Sequence, residues 1–253
     1  MIRNAASAAA RRAAAGVRPP PVDRLIRVGL PTDARMLATL IEAAGRGNAM
    51  RPSYAAWFPG SSADRVRQLE CLVRAPVRTW CHWSVFWVAE VGGRVAAALA
   101  CYESSLSTRE ALDRTLDGGW GSDLPTALRQ REVLRDSGCL PSQDGVWTID
   151  HAATLPSLRR RGLAAELLVE ALREGRTVGY SSAATDIASD NIAALRLFEA
   201  AGFVEQCRCA CGKAGGPGGC RGMTRLGRNL EMATRRLGRG RGALRQRRPS
   251  RGR

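Results

Sequence analysis

Lysine is almost absent: Lys213 stands alone among the 39 basic residues of this 253-residue chain. Arginine carries the rest, which points to GC-rich coding more than to selection for positive charge. Carboxylates are scarce at the ends. Residues 1–22 hold four arginines and no acid, a charge of +4, and residues 207–253 carry +13 with Glu231 as their one acid. The total is +16, which leaves residues 23–206 at −1. Charge of this kind suits loose, salt-sensitive contact with polyanions through the ends. A specific nucleic-acid surface on the central part is not expected. No apolar run approaches the ~20 residues of a membrane helix, so no membrane partner is expected.

The N-terminus also lacks the hydrophobic core of a secretory signal. Its Arg- and Ala-rich opening is similar both to a transit peptide and to an over-extended start. Without a secretory signal, a reduced cytoplasmic setting is the expectation for the eight cysteines. No C-x-x-C knuckle is present. Cys207, Cys209 and Cys211 alternate as one face of a strand would, with Cys220 beyond them, so no metal is expected.

The length allows one full core, read as a domain over residues 23–230. A flexible basic extension, 1–22, precedes it, and a disordered Arg-rich tail, 231–253, follows, with no apolar periodicity to bury. Leu25 to Val28 reads as a first strand. Thr32 is placed to cap a helix with the stripe Leu37, Leu40, Ile41 and Ala44, ending at Gly45. A second helix from Ser62 turns Val66, Leu69, Leu72 and Val73 inward. Val85–Val91, Gly92-Gly93 and Arg94–Tyr102 have the pattern of a hairpin with a two-glycine turn. Residues 103–145 then form a long insertion with predicted helices near 107–115 and 125–137. A fourth strand is read over 146–155. A fifth covers 181–187, although Thr185 and Asp186 are polar for a buried strand. Cys207 to Cys211 gives a sixth, and Gly222 to Leu230 the last.

Two motifs carry the chemistry. Residues 158–168, LRRRGLAAELL, contain R-x-x-G-x-A at Arg159, Gly162 and Ala164, where an extended segment gives way to a helix. Leu163, Leu167, Leu168, Ala171 and Leu172 give that helix one apolar face. Gly162 admits close approach to the backbone, and the first-turn N–H groups have no partners within the helix. With the positive end of the helix dipole behind them, they suit a phosphate. Residues 190–203, DNIAALRLFEAAGF, form a second helix, with Asp190 placed as its cap and Gly202 as a left-handed stop. Ala194, Leu197, Phe198 and Ala201 form its stripe, and Phe203 packs back.

In this order and spacing the two motifs resemble the GNAT superfamily of N-acetyltransferases. The resemblance implies an α/β (α+β) fold: a central mixed, mostly antiparallel sheet of about seven strands, flanked by helices. The sheet would be splayed between strands 4 and 5, and the insertion would lie between strands 3 and 4, at the acceptor end of the cleft or as a prop for the sheet edge. Acetyl-CoA would lie in the splay as co-substrate. Its pyrophosphate would rest on the amides of residues 160–165, with Arg159, Arg160 and Arg161 adding charge around Gly162, Leu163, Ala164 and Ala165. Ala153, Thr154 and Leu155 would flank the pantetheine arm, and one of their amides would serve the reaction's oxyanion. Asn191 would meet the same arm while capping its helix, and Phe198 is counted with it among the cofactor-binding residues. Many relatives place a Tyr where this chain has Phe198, and Phe198 cannot protonate a departing thiolate.

Acetyl transfer needs a positioned thioester, a deprotonated amine and a stabilised oxyanion. Orientation supplies roughly 7–11 kcal/mol, and a general base contributes about 10²- to 10⁴-fold. The candidate bases are Asp150, then Glu103. His151 adjoins Asp150, but neighbours on a regular strand point to opposite faces. His82, between Trp80 and Trp83, reads as a packing residue. The leading expectation is acetyl transfer to an amine of a small molecule or peptide, by direct attack in a ternary complex, in a monomer or homodimer. The alternatives are a non-catalytic acyl-CoA-binding module, or a nucleic-acid-associated protein that uses its Arg-rich ends.

Overall fold

The computed structural model describes residues 23–46, 53–56, 58, 60–107, 143–209 and 222–231. The ends, the central part of the insertion with its two predicted helices, and Cys211 and Cys220 lie outside them. Seven strands form one sheet in the order β1-β2-β3-β4-β5-β7-β6. They are β1 (Arg24–Val28), β2 (Phe86–Val91), β3 (Arg94–Glu103), β4 (Trp147–Thr154), β5 (Ser182–Ala188), β6 (Val204–Cys209) and β7 (Met223–Asn229). Every neighbouring pair is antiparallel except β4 and β5.

Four α-helices cover the sheet in the described residues: α1 (Ala34–Arg46), α2 (Ser62–Arg74), α3 (Leu163–Thr177) and α4 (Ile192–Ala200). Local chemistry sets their starts. Ser61 and Asp64 form a reciprocal box on α2, each side chain accepting from the other's backbone N–H. Thr32 does not cap α1. It lies in a 3-10 turn, Pro31–Asp33, where the Asp33 carboxylate accepts the Leu30 N–H at 2.8 Å. Pro31 favours that turn, so α1 begins only at Ala34 and runs past Gly45 to Arg46. Asp190 is likewise displaced as a cap. Asn191 is the cap of α4, and its side chain accepts the Ala194 N–H at 3.2 Å. Gly202, with φ +82°, ends that helix, and Phe203 meets Phe198 edge-on at 5.1 Å.

The two faces of the sheet carry separate cores. On one, Leu37, Leu40 and Ile41 of α1 and Leu69 and Leu72 of α2 pack with Val88, Ala98, Ala100 and Tyr102. On the other, Leu163, Leu167, Leu168 and Leu172 of α3 pack with Leu99, Ile149, Phe198 and Leu226. Full burial of each such leucine is worth about 1.5–3 kcal/mol. Gly92 and Gly93, with φ of +59° and +74°, make the tight β2–β3 hairpin turn. Asp186 is accommodated in β5 because Arg225, opposite it on β7, binds its carboxylate.

Among the described residues no helix is long and apolar enough to cross a membrane. No metal-binding group of His, Cys, Asp or Glu is found among them either.

Candidate active site

β4 and β5 pair at two positions only, Trp147 with Ala183 and Thr148 with Ala184, and then part. Beyond the branch point, β4 continues to Thr154 and β5 to Ala188, which opens a wedge between them. At its mouth stands the start of α3. Gly162 caps the helix with φ +85° and no side-chain hydrogen bond, and Arg160 before it is also left-handed, φ +60°. Glu166 N–H closes the first turn on Gly162 O at 3.0 Å. The N–H groups of Leu163, Ala164 and Ala165 thus precede the helix's own hydrogen bonding. A Cβ on Gly162 would meet only Glu166 Oε1, at 3.6 Å, so the approach to these amides is open. Arg159, Arg160 and Arg161 are exposed around it. These features fit a pyrophosphate. Arg24 of β1 braces the loop from behind, donating to Arg161 O and to Glu166 Oε1, each at 3.2 Å.

Along the wedge, Leu155 N–H is bound to Ala96 O at 2.8 Å and so belongs to β3. Adjacent residues of a ladder direct their amides to opposite edges. Of the three amides from Ala153 to Leu155, it is therefore that of Thr154 that turns toward the wedge. Asn191 is half-buried at the start of α4. Phe198 is fully buried in the α3-side core, where it fills space.

Behind the branch point, on the α1/α2 face, is a cleft of about 250 Å³ lined by Tyr102, Thr148, Asp150, Thr185, Asp186 and Arg225 among others. Asp150 lies two residues past the last β4–β5 pair, and 43% of its side chain is exposed. Its Oδ2 accepts the Tyr102 hydroxyl at 3.3 Å, and its Oδ1 accepts the His151 N–H at 2.7 Å. Burial, then the charge of Asp150, pushes the Tyr102 hydroxyl well above its ordinary range, so it remains a donor.

β4 is not a regular strand. Ala98 pairs with Ala153 and Ala100 with Asp150, so Leu99 faces two residues, His151 and Ala152. This is a bulge, and His151 takes φ +51° within it. The expectation that Asp150 and His151 point to opposite faces is corrected by it. His151 stacks on Tyr54, with ring centroids 5.9 Å apart, and lies 6.2 Å from Phe86, all on the α1/α2 face that Asp150 shares. Tyr54 sits on the short turn Ser53–Ala56 ahead of α2. Its hydroxyl lies 2.5 Å from His151 Nε2. Sequence reading missed Tyr54 and Tyr102, two of only three tyrosines in the chain. That scarcity was the one signal available.

Glu103 is not brought to this cleft. It is exposed at the end of β3 and shares the face of Cys101, whose thiol donates to Glu174 of α3. His82 is half-buried beside Trp83 and caps a 3-10 turn through Ser84 N–H. Burial and the charge of Arg78 lower its pKa.

A family model described as "Acetyltransferase (GNAT) family" matches residues 49–203, more than half of the chain. The chain belongs to that family. It is an N-acetyltransferase, and acetyl-CoA is its co-substrate. Among solved structures, it is similar to one described as an acetyltransferase, with 16% identity and a TM-score of 0.57 over 82% of this chain and 100% of that one. An N-acetyltransferase from Staphylococcus aureus Mu50 matches at 19% identity and a TM-score of 0.59, over 81% of this chain and 100% of the other. The Salmonella typhimurium yncA structure, solved with its cofactor acetyl-CoA, has 17% identity and a TM-score of 0.47, over 83% and 96%. At these identities the first two likenesses establish the fold alone. No curated protein matches the sequence significantly.

Proposed function

We propose that the enzyme acetylates an amine of a small molecule or peptide by direct attack in a ternary complex, with Asp150 as the base. The observation that carries this reading is the position of Asp150 at the β4–β5 branch point, facing the cleft on the side opposite α3. Acetyl-CoA supplies a reactive acetyl thioester when bound. The amides of Leu163, Ala164 and Ala165 hold the phosphates, and Thr154 N–H turns toward the wedge where the thioester carbonyl is to lie. Asp150 attracts the acceptor's ammonium and takes up its proton, which frees the nitrogen lone pair to bond to the acetyl carbon as the carbon–sulfur bond breaks and the thiolate leaves. Tyr102 keeps one carboxylate oxygen in place during that transfer.

A screen of primary amines for acetyl-CoA-dependent thiol release tests the function. Asp150→Asn should lower kcat by about 10²- to 10⁴-fold, the usual contribution of a general base, with acetyl-CoA affinity unchanged by calorimetry. Glu103→Gln should leave both unchanged. Equal losses from the two substitutions would remove Asp150 from this role.

A further inference from the structure

His151 is 7% exposed and sits at a left-handed backbone position, which is uncommon for any residue but glycine. A buried imidazole in such a place calls for a reason. Its Nε2 meets the Tyr54 hydroxyl at 2.5 Å, whereas its Nδ1 is buried with no hydrogen-bond partner among the described residues. Asp150 Oδ2 lies 3.5 Å from Nδ1. Buried polar atoms are nearly always paired, and catalytic contacts in ligand-free structures are often long and tighten when substrate arrives.

Asp150 fixes the direction of the chain, and Tyr54 stands at its other end. The Trp80 side chain, a pure donor, bonds to the Tyr54 oxygen, and Cys81 Sγ lies 3.7 Å from that oxygen. Burial pushes the Cys81 thiol up to about 12 and the Tyr54 hydroxyl well above its ordinary range, so both keep their protons. A carboxylate only accepts, so the imidazole proton faces Asp150 Oδ2 from Nδ1, and the Tyr54 hydroxyl, 2.5 Å from Nε2, is left to donate there. Nε2 is then the acceptor, and the imidazole proton resides on Nδ1, facing Asp150.

We propose that Trp80, Tyr54 and His151 form a hydrogen-bonded chain that holds His151 in its Nδ1–H tautomer and thereby orients the Asp150 carboxylate toward the acceptor amine. This rests on the reading of Asp150 as the base. His151 and Tyr54 are positioning residues, and the chain explains why a histidine occupies the bulge. Asp150 Oδ2 accepts the Tyr102 O–H and lies 3.5 Å from His151 Nδ1, so a short movement lets it accept from both.

The test does not need the acceptor. The protein has only two histidines, His82 and His151. Nitrogen-15 NMR of the imidazoles in the full chain, assigned with His82→Gln, should show His151 protonated at Nδ1, and Tyr54→Phe should relax that preference. An Nε2–H tautomer in the unaltered protein overturns the chain whether or not an acceptor amine has been found. With the amine from the screen, His151→Asn retains a donor near Nδ1 and tolerates the left-handed backbone. It should stay within about threefold of the unaltered kcat. His151→Gln places its amide toward Tyr54 instead, and should lose about 10- to 100-fold in kcat at unchanged KM for acetyl-CoA, as removal of an orienting partner typically does. The reverse order of the two variants also overturns the proposal. A screen that finds no acceptor counts against the proposed function and leaves the tautomer result standing by itself.

Discussion

Asp186 and Arg225 sit opposite one another in the β5–β7 ladder and are joined by two hydrogen bonds, Nε to Oδ1 at 2.7 Å and Nη2 to Oδ2 at 2.6 Å. The Arg225 side chain is 7% exposed and that of Asp186 is 36% exposed. This pairing allows a polar residue in β5 and forms part of the wall of the cleft. Asp186→Ala leaves a guanidinium without its countercharge in a buried position. The expected loss of stability is about 1–3 kcal/mol, below the range for fully buried pairs because Asp186 is partly solvated. Adding Arg225→Met should restore most of it in urea denaturation. A double variant less stable than the single one would show that Arg225 stabilises the sheet without Asp186.

Gly162→Asp should abolish acetyl-CoA binding while the protein stays folded. A carboxylate there faces the amides of Leu163, Ala164 and Ala165, and an L-residue at φ +85° is strained. Calorimetric titration checks this. Near-unaltered affinity would detach the start of α3 from the phosphate site.

Gly175 of α3 lies against the indole of Trp147. A Cβ there would come within 2.6 Å of Trp147 Cδ1 and 2.8 Å of Cγ. The ring cannot easily yield, because its Nε1 donates to Ala171 O at 2.9 Å and it is buried. Gly175→Ala, mild in an open helix, should therefore destabilise the protein by about 1–3 kcal/mol through overpacking. A thermal melt of the variant measures it, and an unchanged or raised melting temperature would contradict the close packing of α3 on β4.

Arg27 of β1 binds Asp33 at 2.7 Å and also bonds Glu90. Burial works against the Asp33 charge, but the hydrogen bond from Arg27, that from the Leu30 N–H and the Arg27 charge together lower its pKa below the ordinary 3.8. A carboxyl whose folded value is depressed adds stability above its unfolded value and loses it as pH falls through the folded one. Stability should therefore decline below about pH 4, and Asp33→Asn should flatten that part of the curve. Denaturant midpoints between pH 5 and 2 would show it. An unchanged slope would mean that Asp33 contributes nothing to acid sensitivity.

The start of α3 at Gly162 was readable in the sequence, because a glycine at a helix entrance followed by Leu163, Leu167, Leu168 and Leu172 is a local pattern with a local cause. So were the Gly92-Gly93 hairpin and the Gly202 stop, since positive φ and residue type are linked within a few positions. The caps were misread at Thr32, which Pro31 draws into a 3-10 turn, and at Asp190, because Asn191 beside it takes the cap. What the sequence could not disclose depends on register between distant strands. Nothing local announces that Leu99 will face both His151 and Ala152, and that bulge is what turns His151 to the side of Asp150. The same holds for Tyr54, which meets His151 across 97 positions of chain, and for Glu103, which β3 carries to the opposite face. Helix starts and turns are decided by a few neighbouring residues. The surroundings of a base are decided by which strands pair, where they part and which helices close over them, and only the assembled sheet settles that.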